Sequence, residues 1–506
     1  MFFLLTISFL FAQHLNINQS IYDKYLEEYN FIDEQIIKEN LFIYPLVNYE
    51  KNNSFDILNK LNNIDIHPIF GLKYSQTGFE INDNVPIPII WVTPGLELNI
   101  NKLVINSTSP IWISACLSFA KHSAYGINEN LYINSSLDFN NIDLPPLFIN
   151  NPKYQFGYFR NVKNSNNGID FDESNGYISM ISNTFDLTIG KFRSSLGPSS
   201  FSNLSISNTI PPLNQIRFRY NYQNKVNFTF LIGDLYSNII DTSFVYQEVG
   251  FNDKYSILPR RIFNHRIDFM LSDNFRIGLY EQVIGMAKNT LSYFNPLILY
   301  WSEQHQNSDL DNLQIGFDFD YMIEKNRIYG GLLIDEWALY DTFNDNSQNW
   351  FARQIGFSRI FSIRNNLRGL LKFEYSDAEP QVYLHKFNIN SSYHHNYPLG
   401  LWSGGDSVDK RVSFILFFYK QTNELNYIID LTIENTNIGT PNYDSNVSLF
   451  SEGIKKSRCV YSINLKKTFY DDLDWHFKVG YFDTENLYSE DNFLEFSTSI
   501  LYNIQK

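Results

Sequence analysis

A chain of 506 residues with a net charge of −15 has no basic surplus with which to hold nucleic acid, and its two cysteines form neither a disulfide framework nor a CxxC metal pattern. Aromatic residues make up 17% of it, with 34 Tyr and 44 Phe, beside only 18% charged residues and a slightly negative mean hydropathy. That pairing is foreign to a cytosolic enzyme; membrane strands with polar inward faces and aromatic girdles produce it.

The chain starts MFFLLTISFLFAQ, an apolar run too short to span a bilayer as a helix and predicted to be a signal peptide over residues 1–13. No later stretch approaches the ~20 continuous apolar residues of a transmembrane helix, so a membrane location requires a barrel. Residues 14–63 read as a separate helical segment. There IYDKYLEEYNFIDEQII sets Ile21, Tyr25, Tyr29, Ile32 and Ile36 three or four apart with acidic residues between, the pattern of an amphipathic helix. A shorter helix is predicted from Ser54.

From residue 64 to the end the period is two. In IRFRYNY (from Ile216), LQIGFDFDY (from Leu313), LRGLLKFEY (from Leu367), LNYIIDLTIE (from Leu425), CVYSINLKK (from Cys459) and DWHFKVGYF (from Asp474), apolar and polar residues alternate over about the 9–11 residues of a tilted membrane strand, or slightly fewer. The links between strands say more. Tight ones (QNK, SDN, MIEKN, SIRNN, KQTNE, TFYDDL) alternate without a break with long ones (192–215, 233–264, 282–312, 335–352, 376–410, 435–456). Short periplasmic turns and long extracellular loops are the mark of an outer-membrane barrel. The predicted fold is therefore all-β, a large antiparallel transmembrane β-barrel. Counting back to a strand near Ile111 gives about 18 strands, with residues 64–106 able to add two, for a range of 16–20. Cys116 and Cys459 then lie on strands that are not neighbours, too far apart to bridge, and are expected as two free, buried thiols.

Three segments resemble the Wzi-type capsule-assembly proteins: GKFRSSLGPSSFSNLSISNTIPPLNQIRFRY (190–220), NHRIDFMLSDNFRIGLYEQVIGMAKNTLSYFNPLILYW (264–301), and FEYSDAEPQVYLHKF followed by YHHNYPLGLWSGGDSVD (373–409). The likeness covers residues 150–420 and the remainder by architecture. It implies an outer-membrane barrel of about eighteen strands whose N-terminal helical portion closes the periplasmic mouth. It also implies binding of capsular polysaccharide and its retention at the cell surface. Two departures stand out: Leu-Gly-Pro-Ser where the family often has Trp-Gly-Pro-Gly, and a chain ending YNIQK, where Tyr502 and Ile504 are expected to serve in place of a terminal aromatic.

Sugar recognition needs flat aromatic faces for C–H surfaces, with carboxylates, amides and guanidinium groups for hydroxyls. The predicted extracellular loops supply Tyr393, His394, His395, Tyr397, Trp402 and Asp406, then Arg193, and then Trp301, Glu303 and His305. The alternative is that these groups pack the loops onto each other over the barrel mouth. Gly400, Gly404 and Gly405 read as hinges at positive φ and Pro398 as a turn former. Adjacent His394 and His395 would point opposite ways in an extended loop, so a metal site would need His385 or Asp406 as well; no metal or cofactor is expected.

At inward parity Arg217, Arg219, Arg266, Asp268, Asp318, Asp320, Arg368, Lys372, Glu374, Asp430 and Glu434 give a lumen of mixed charge. Both signs occur close together on single strands, which favours a cross-barrel network of paired charges over a solute or glycan pathway. No GxSxG elbow, HExxH helix or Gly-rich phosphate loop is present, so no enzyme is expected. A rim hydrolase using the Ser-rich RSSLGPSSFSNLS ranks third, after a polysaccharide-binding barrel and a channel. The expected partners are surface or capsular polysaccharide and outer-membrane lipid and lipopolysaccharide, for a monomer in the bacterial outer membrane.

Overall fold

Strict alternation lets a strand turn one row of side chains to hydrocarbon and the other to a polar interior. In the computed structural model, eighteen such strands close on themselves as an antiparallel barrel. The structure describes residues 21–37, 43–44, 64–77, 88–105, 111–125, 163–165, 168–182, 184–246, 254–286, 292–306, 310–335, 350–395, 397–421, 424–439, 442–444, 449–451, 455–469, 473–485 and 492–502. The expected signal peptide and the helix from Ser54 lie outside these residues.

In chain order the strands are β1 (Ile64–Thr77), β2 (Pro88–Ile105), β3 (Ile111–Tyr125), β4 (Gly168–Ile181), β5 (Phe185–Phe192) and β6 (Leu213–Tyr222). Then come β7 (Val226–Tyr246), β8 (Lys254–Ser272), β9 (Phe275–Met286), β10 (Asn312–Ile323), β11 (Asn326–Asp335) and β12 (Trp350–Arg364). The last six are β13 (Leu367–Ala378), β14 (Ser407–Tyr419), β15 (Leu425–Gly439), β16 (Lys455–Phe469), β17 (Leu473–Glu485) and β18 (Asn492–Tyr502). Each pairs with its successor, and β18 returns to β1 with Leu501 opposite Gly71 and Glu495 opposite Thr77. The total matches the expected eighteen, but the strand at Ile111 is the third: residues 64–105 supply two of the eighteen and do not add to them.

The alternation is realised wall by wall. Ile178, Ile189, Leu279, Ile355, Ile433 and Ile463 are exposed on the outer face, while Arg217, Asp268, Asp320, Lys372 and Asp430 are buried within. Between β6 and β7 the link is tight: Gln223 and Asn224 sit at φ 54° and 57°, the left-handed pair that a two-residue hairpin needs. Cys116 on β3 is buried, and Cys459 on β16, expected buried, is half-buried on the outer face; both are free thiols.

Helix α1 (Ile21–Glu34) lies inside the barrel. Tyr25, Tyr29 and Ile32 form its apolar face and pack with Leu370, Ile415, Phe417 and Ile428 of the wall, Tyr29 meeting Phe417 edge-on at 5.7 Å. Ile36, expected on that face, is 42% exposed. The helix ends two residues earlier, at Glu34; Gln35 takes φ 57° in a left-handed cap, and the turned chain buries Ile37 instead. Both residues fasten α1 to periplasmic turns: the Gln35 side-chain amide donates to the Glu324 carbonyl, and Ile37 N–H donates to Asp273 O at 2.8 Å.

Candidate functional site

Two long loops enter the barrel from the extracellular side and fill it. The first, residues 193–212 between β5 and β6, crosses to the opposite wall. Ser199 Oγ donates to Glu374 Oε1 at 2.5 Å, Ser205 Oγ to Gln282 Oε1 at 2.7 Å, Gln354 Nε2 to Ser202 O at 2.7 Å, and Arg327 Nη2 to Pro198 O at 2.7 Å. The serines that raised a hydrolase reading are thus tied to β9, β12 and β13 as structural donors and acceptors.

The second loop, residues 379–406 between β13 and β14, lies against the first. Tyr383 Oη donates to Leu204 O (2.8 Å), Trp402 N–H donates to Ser202 Oγ (2.9 Å), and Ser207 N–H donates to Leu399 O (2.7 Å). Arg260 of β8 pins it from the wall, donating to Ile389 O (2.8 Å), Ser391 O (2.7 Å) and Tyr393 O. Close contact, not hinging, explains two of its glycines. A Cβ on Gly400 would stand 2.2 Å from Tyr383 Oη, and one on Gly405 2.4 Å from Val382 O. Only Gly404, at φ +73°, takes the expected positive angle.

Seven of the ten sugar-site candidates come together over the lumen, and most are turned into the fold. Trp402 is 3% exposed; its indole lies edge-on to Phe201 at 6.4 Å, under the Arg458 guanidinium at 4.7 Å, with Nε1 3.4 Å from Asp409 Oδ2. Tyr397 is buried with Leu399 in the cluster that contains α1. His394 accepts the Tyr236 N–H at 3.0 Å. Burial first, then Arg260, hold its imidazole at about 3, far below the ordinary 6.5. His395 takes φ 50° and stacks on Tyr236 at 4.1 Å. Asp406 is buried, its carbonyl accepting Gly439 N–H at 2.7 Å. Arg193 donates to Asn208 O and Ile210 O of its own loop, at 3.2 and 2.8 Å. Tyr393 and His395 remain half-buried, beside exposed Lys386, Phe387 and Asn388.

The other three candidates lie elsewhere. Residues 292–306, ending in the short helix α2 (Tyr300–Gln306), fold back over the outside of the barrel. Tyr293, Tyr300 and Trp301 pack on Phe230, Ile232, Phe263, Val283 and Leu313, all at outward parity. This strap covers a polar pair: His265 Nε2 lies 2.9 Å from Glu281 Oε2, Tyr300 N–H donates to that carboxylate at 2.9 Å, and Tyr300 stacks on His265 at 4.1 Å. Trp301, Glu303 and His305 therefore do not join the loop cluster.

Most of the inward charges have ionic partners, several of them across strands. Arg266 and Arg276 grip Asp268 and Asp318 in a buried quartet at 2.6–2.7 Å. Asp320 pairs with Arg327 (2.5 Å), whose Nη1 reaches Glu28 of α1 at 2.8 Å, and Glu28 also accepts Ser358 Oγ at 2.6 Å and Lys372. Tyr329 Oη donates to Glu374 at 2.6 Å. Arg219 meets Asp186 at 2.5 Å, Arg217 lies over Phe192 at 5.5 Å, and Arg368 over Tyr419 at 4.6 Å and Tyr29 at 5.8 Å. Asp430 accepts Thr432 Oγ1 at 2.7 Å, and Glu434 is shared by Arg411 (3.3 Å) and Arg458. Arg276 and Arg327 stand at inward parity in FRIGLYEQ and NRIYGGLL and were readable as members; Glu28, on the helix, carried no such signal.

The family model for capsule assembly protein Wzi matches residues 119–492. The chain belongs to that family. With its apolar wall and polar lumen it is an outer-membrane barrel of the family's kind. Among solved structures it is similar to Escherichia coli Wzi, described as an outer-membrane, carbohydrate-binding β-barrel involved in group 1 capsule assembly. There the identity is 11% and the TM-score 0.55, with 95% of this chain and 98% of that one covered. Acinetobacter baumannii OccAB4 follows at 9% identity and TM-score 0.46 (88% and 99% covered), and Pseudomonas aeruginosa opdK at 10% and 0.47 (88% and 99%). No curated protein matches the chain significantly.

Proposed function

We propose that this barrel binds capsular or other surface polysaccharide on its extracellular face and helps to assemble or retain it at the cell surface, without chemistry on the sugar. The observation that carries the reading is the bonding of loops 193–212 and 379–406 into one unit, through Trp402 to Ser202 and Tyr383 to Leu204. A polymer meets a surface ordered in advance, so little loop entropy is lost on binding. Filled from above by those loops and from below by α1, the lumen serves this reading better than a channel.

Deleting residues 393–409 would remove Tyr397 and Trp402 from the interior and unfold the site. Substitution of the exposed Lys386 and Phe387 and the half-buried Tyr393 to Ala, together, is the sound probe. The expected result is a correctly inserted barrel with at least ~10-fold weaker binding of purified capsule polysaccharide and reduced capsule retention; unchanged binding and retention would reject the loops as the site. A steady current through the full chain in planar bilayers would favour the channel.

A further inference from the structure

The outer wall of a barrel is convex, yet one side of this one carries a groove of about 840 Å³, within the range of about 300–1,000 Å³ typical of small-molecule sites. Leu117, Ile178, Ile189, Ile216 and Ile232 form its apolar floor across β3 to β7, and Phe294 of the outer strap stands as a wall. At the loop-side end the lining becomes polar, with Lys191, Asn214, Asp234 and Arg261.

Depth fixes the surroundings. The nine residues from Val226, beside the periplasmic turn, to Asp234 match the ~9–11 that cross a bilayer as a tilted strand. The polar end therefore stands at headgroup level of the outer leaflet and the apolar floor lies in the hydrocarbon beneath it. Arg261 is held at this level: Nε donates to Asp234 Oδ1 at 3.0 Å, and its guanidinium carbon lies 6.0 Å from the Phe294 ring centre. Its two terminal nitrogens have no hydrogen-bond partner among the described residues. A preset guanidinium fork with both ends free suits the paired oxygens of a phosphate.

We propose that the groove binds one phosphorylated, multiply acylated lipid of the outer leaflet, of lipid A type, with an acyl chain along the isoleucine floor and a phosphate on Arg261, flanked by Lys191. Strap residues Phe294, Leu297 and Leu299, the last two 83% and 65% exposed, extend the apolar surface beside it.

Native mass spectrometry of the full chain, purified in detergent and titrated with diphosphorylated lipid A, tests this. Its dephosphorylated form and phosphatidylglycerol serve as competitors. One lipid A retained per barrel is expected, in preference to both competitors. Arg261→Glu removes the phosphate contact and Ile189→Trp fills the floor, and each is expected to lower retention at least ~10-fold. Ile463→Trp, outward on β16, is expected to leave it unchanged. Because the two groove variants act on different ends of the lipid, the proposal stays testable if one fails to fold. Equal retention of dephosphorylated lipid A, wild-type retention by a folded groove variant, or an equal loss in Ile463→Trp would overturn it.

Discussion

Arg327 on β11 and Glu28 on α1 meet at 2.8 Å with both side chains buried, and through this pair the N-terminal helix is joined to the charge network of the wall. Lys372 and Ser358 complete the carboxylate's shell, so the helix is locked to three successive strands by one residue.

Removing one partner of a buried ion pair typically costs about 3–5 kcal/mol, since the other charge is left uncompensated. Glu28→Ala is expected to cost about that much, read as a lower urea midpoint for the barrel in micelles, and to admit transient current in planar bilayers. Glu28→Gln, which keeps the bond to Ser358, is expected to lose less. A midpoint unchanged in Glu28→Ala would show that the apolar face of α1 alone holds it.

Acid should release the loops before it releases the helix. For His394, burial and Arg260 depress the imidazole from 6.5 to about 3. The neutral ring's contribution is therefore complete above pH 6.5 and is lost as pH falls toward 3. For Glu28, burial would raise the carboxyl, but Lys372 and Arg327 outweigh it and hold it at about 2 instead of 4.5; its contribution is complete above 4.5 and lost toward 2. Between pH 6.5 and 4.5 only the histidine of these two acts. The protection of the Tyr236 amide against hydrogen exchange, taken relative to the free-peptide rate at each pH, is expected to fall in that window, since this amide donates to His394. In a His394→Asn variant the pH dependence of that protection should vanish, leaving only the intrinsic slowing of exchange with acid.

Two aromatic residues of one loop should behave differently. Trp402→Ala empties a packed site and is expected to cost about 3–5 kcal/mol, measured by chemical unfolding. Phe387→Ala, at 45% exposure, should change stability by no more than ~0.5 kcal/mol while weakening polysaccharide binding. The opposite assignment of the two effects would place the sugar contact at Trp402.

The glycines give a steric counterpart. In Gly400→Ala the methyl would collide with Tyr383 Oη and Leu204 O and separate the two loops, at an expected cost of about 1–3 kcal/mol. Gly404→Ala meets no atom closer than 3.4 Å and should cost only about 1–2 kcal/mol of backbone strain. Unfolding midpoints of the two variants rank them.

Much of this was legible because a membrane strand has one face per solvent. Asp430, Thr432 and Glu434 against Leu431 and Ile433 reveal both sides of β15 without any structure, and tight turns such as Gln223–Lys225 fix which ends are periplasmic. The charge pairs followed from the same parity. What stayed hidden is whether a long loop folds into the lumen, stands above it or wraps outside. Trp402, Tyr393 and Trp301 are the same kind of residue in the same kind of segment, and they lie inside, at the rim and on the outer wall. Tertiary contacts alone separate these, as they stop α1 at Glu34 where periodicity would have run on to Ile36.

Extracellular loops of barrels can usually be shortened at small cost, since water takes over whatever they leave bare. The strap over β8 and β9 is an exception. Without residues 292–306, His265 and Glu281 would face hydrocarbon, where an ionisable side chain costs several kcal/mol. Trimming this one surface loop would therefore act as a lesion in membrane insertion, felt when the strands enter the bilayer and not when a ligand arrives.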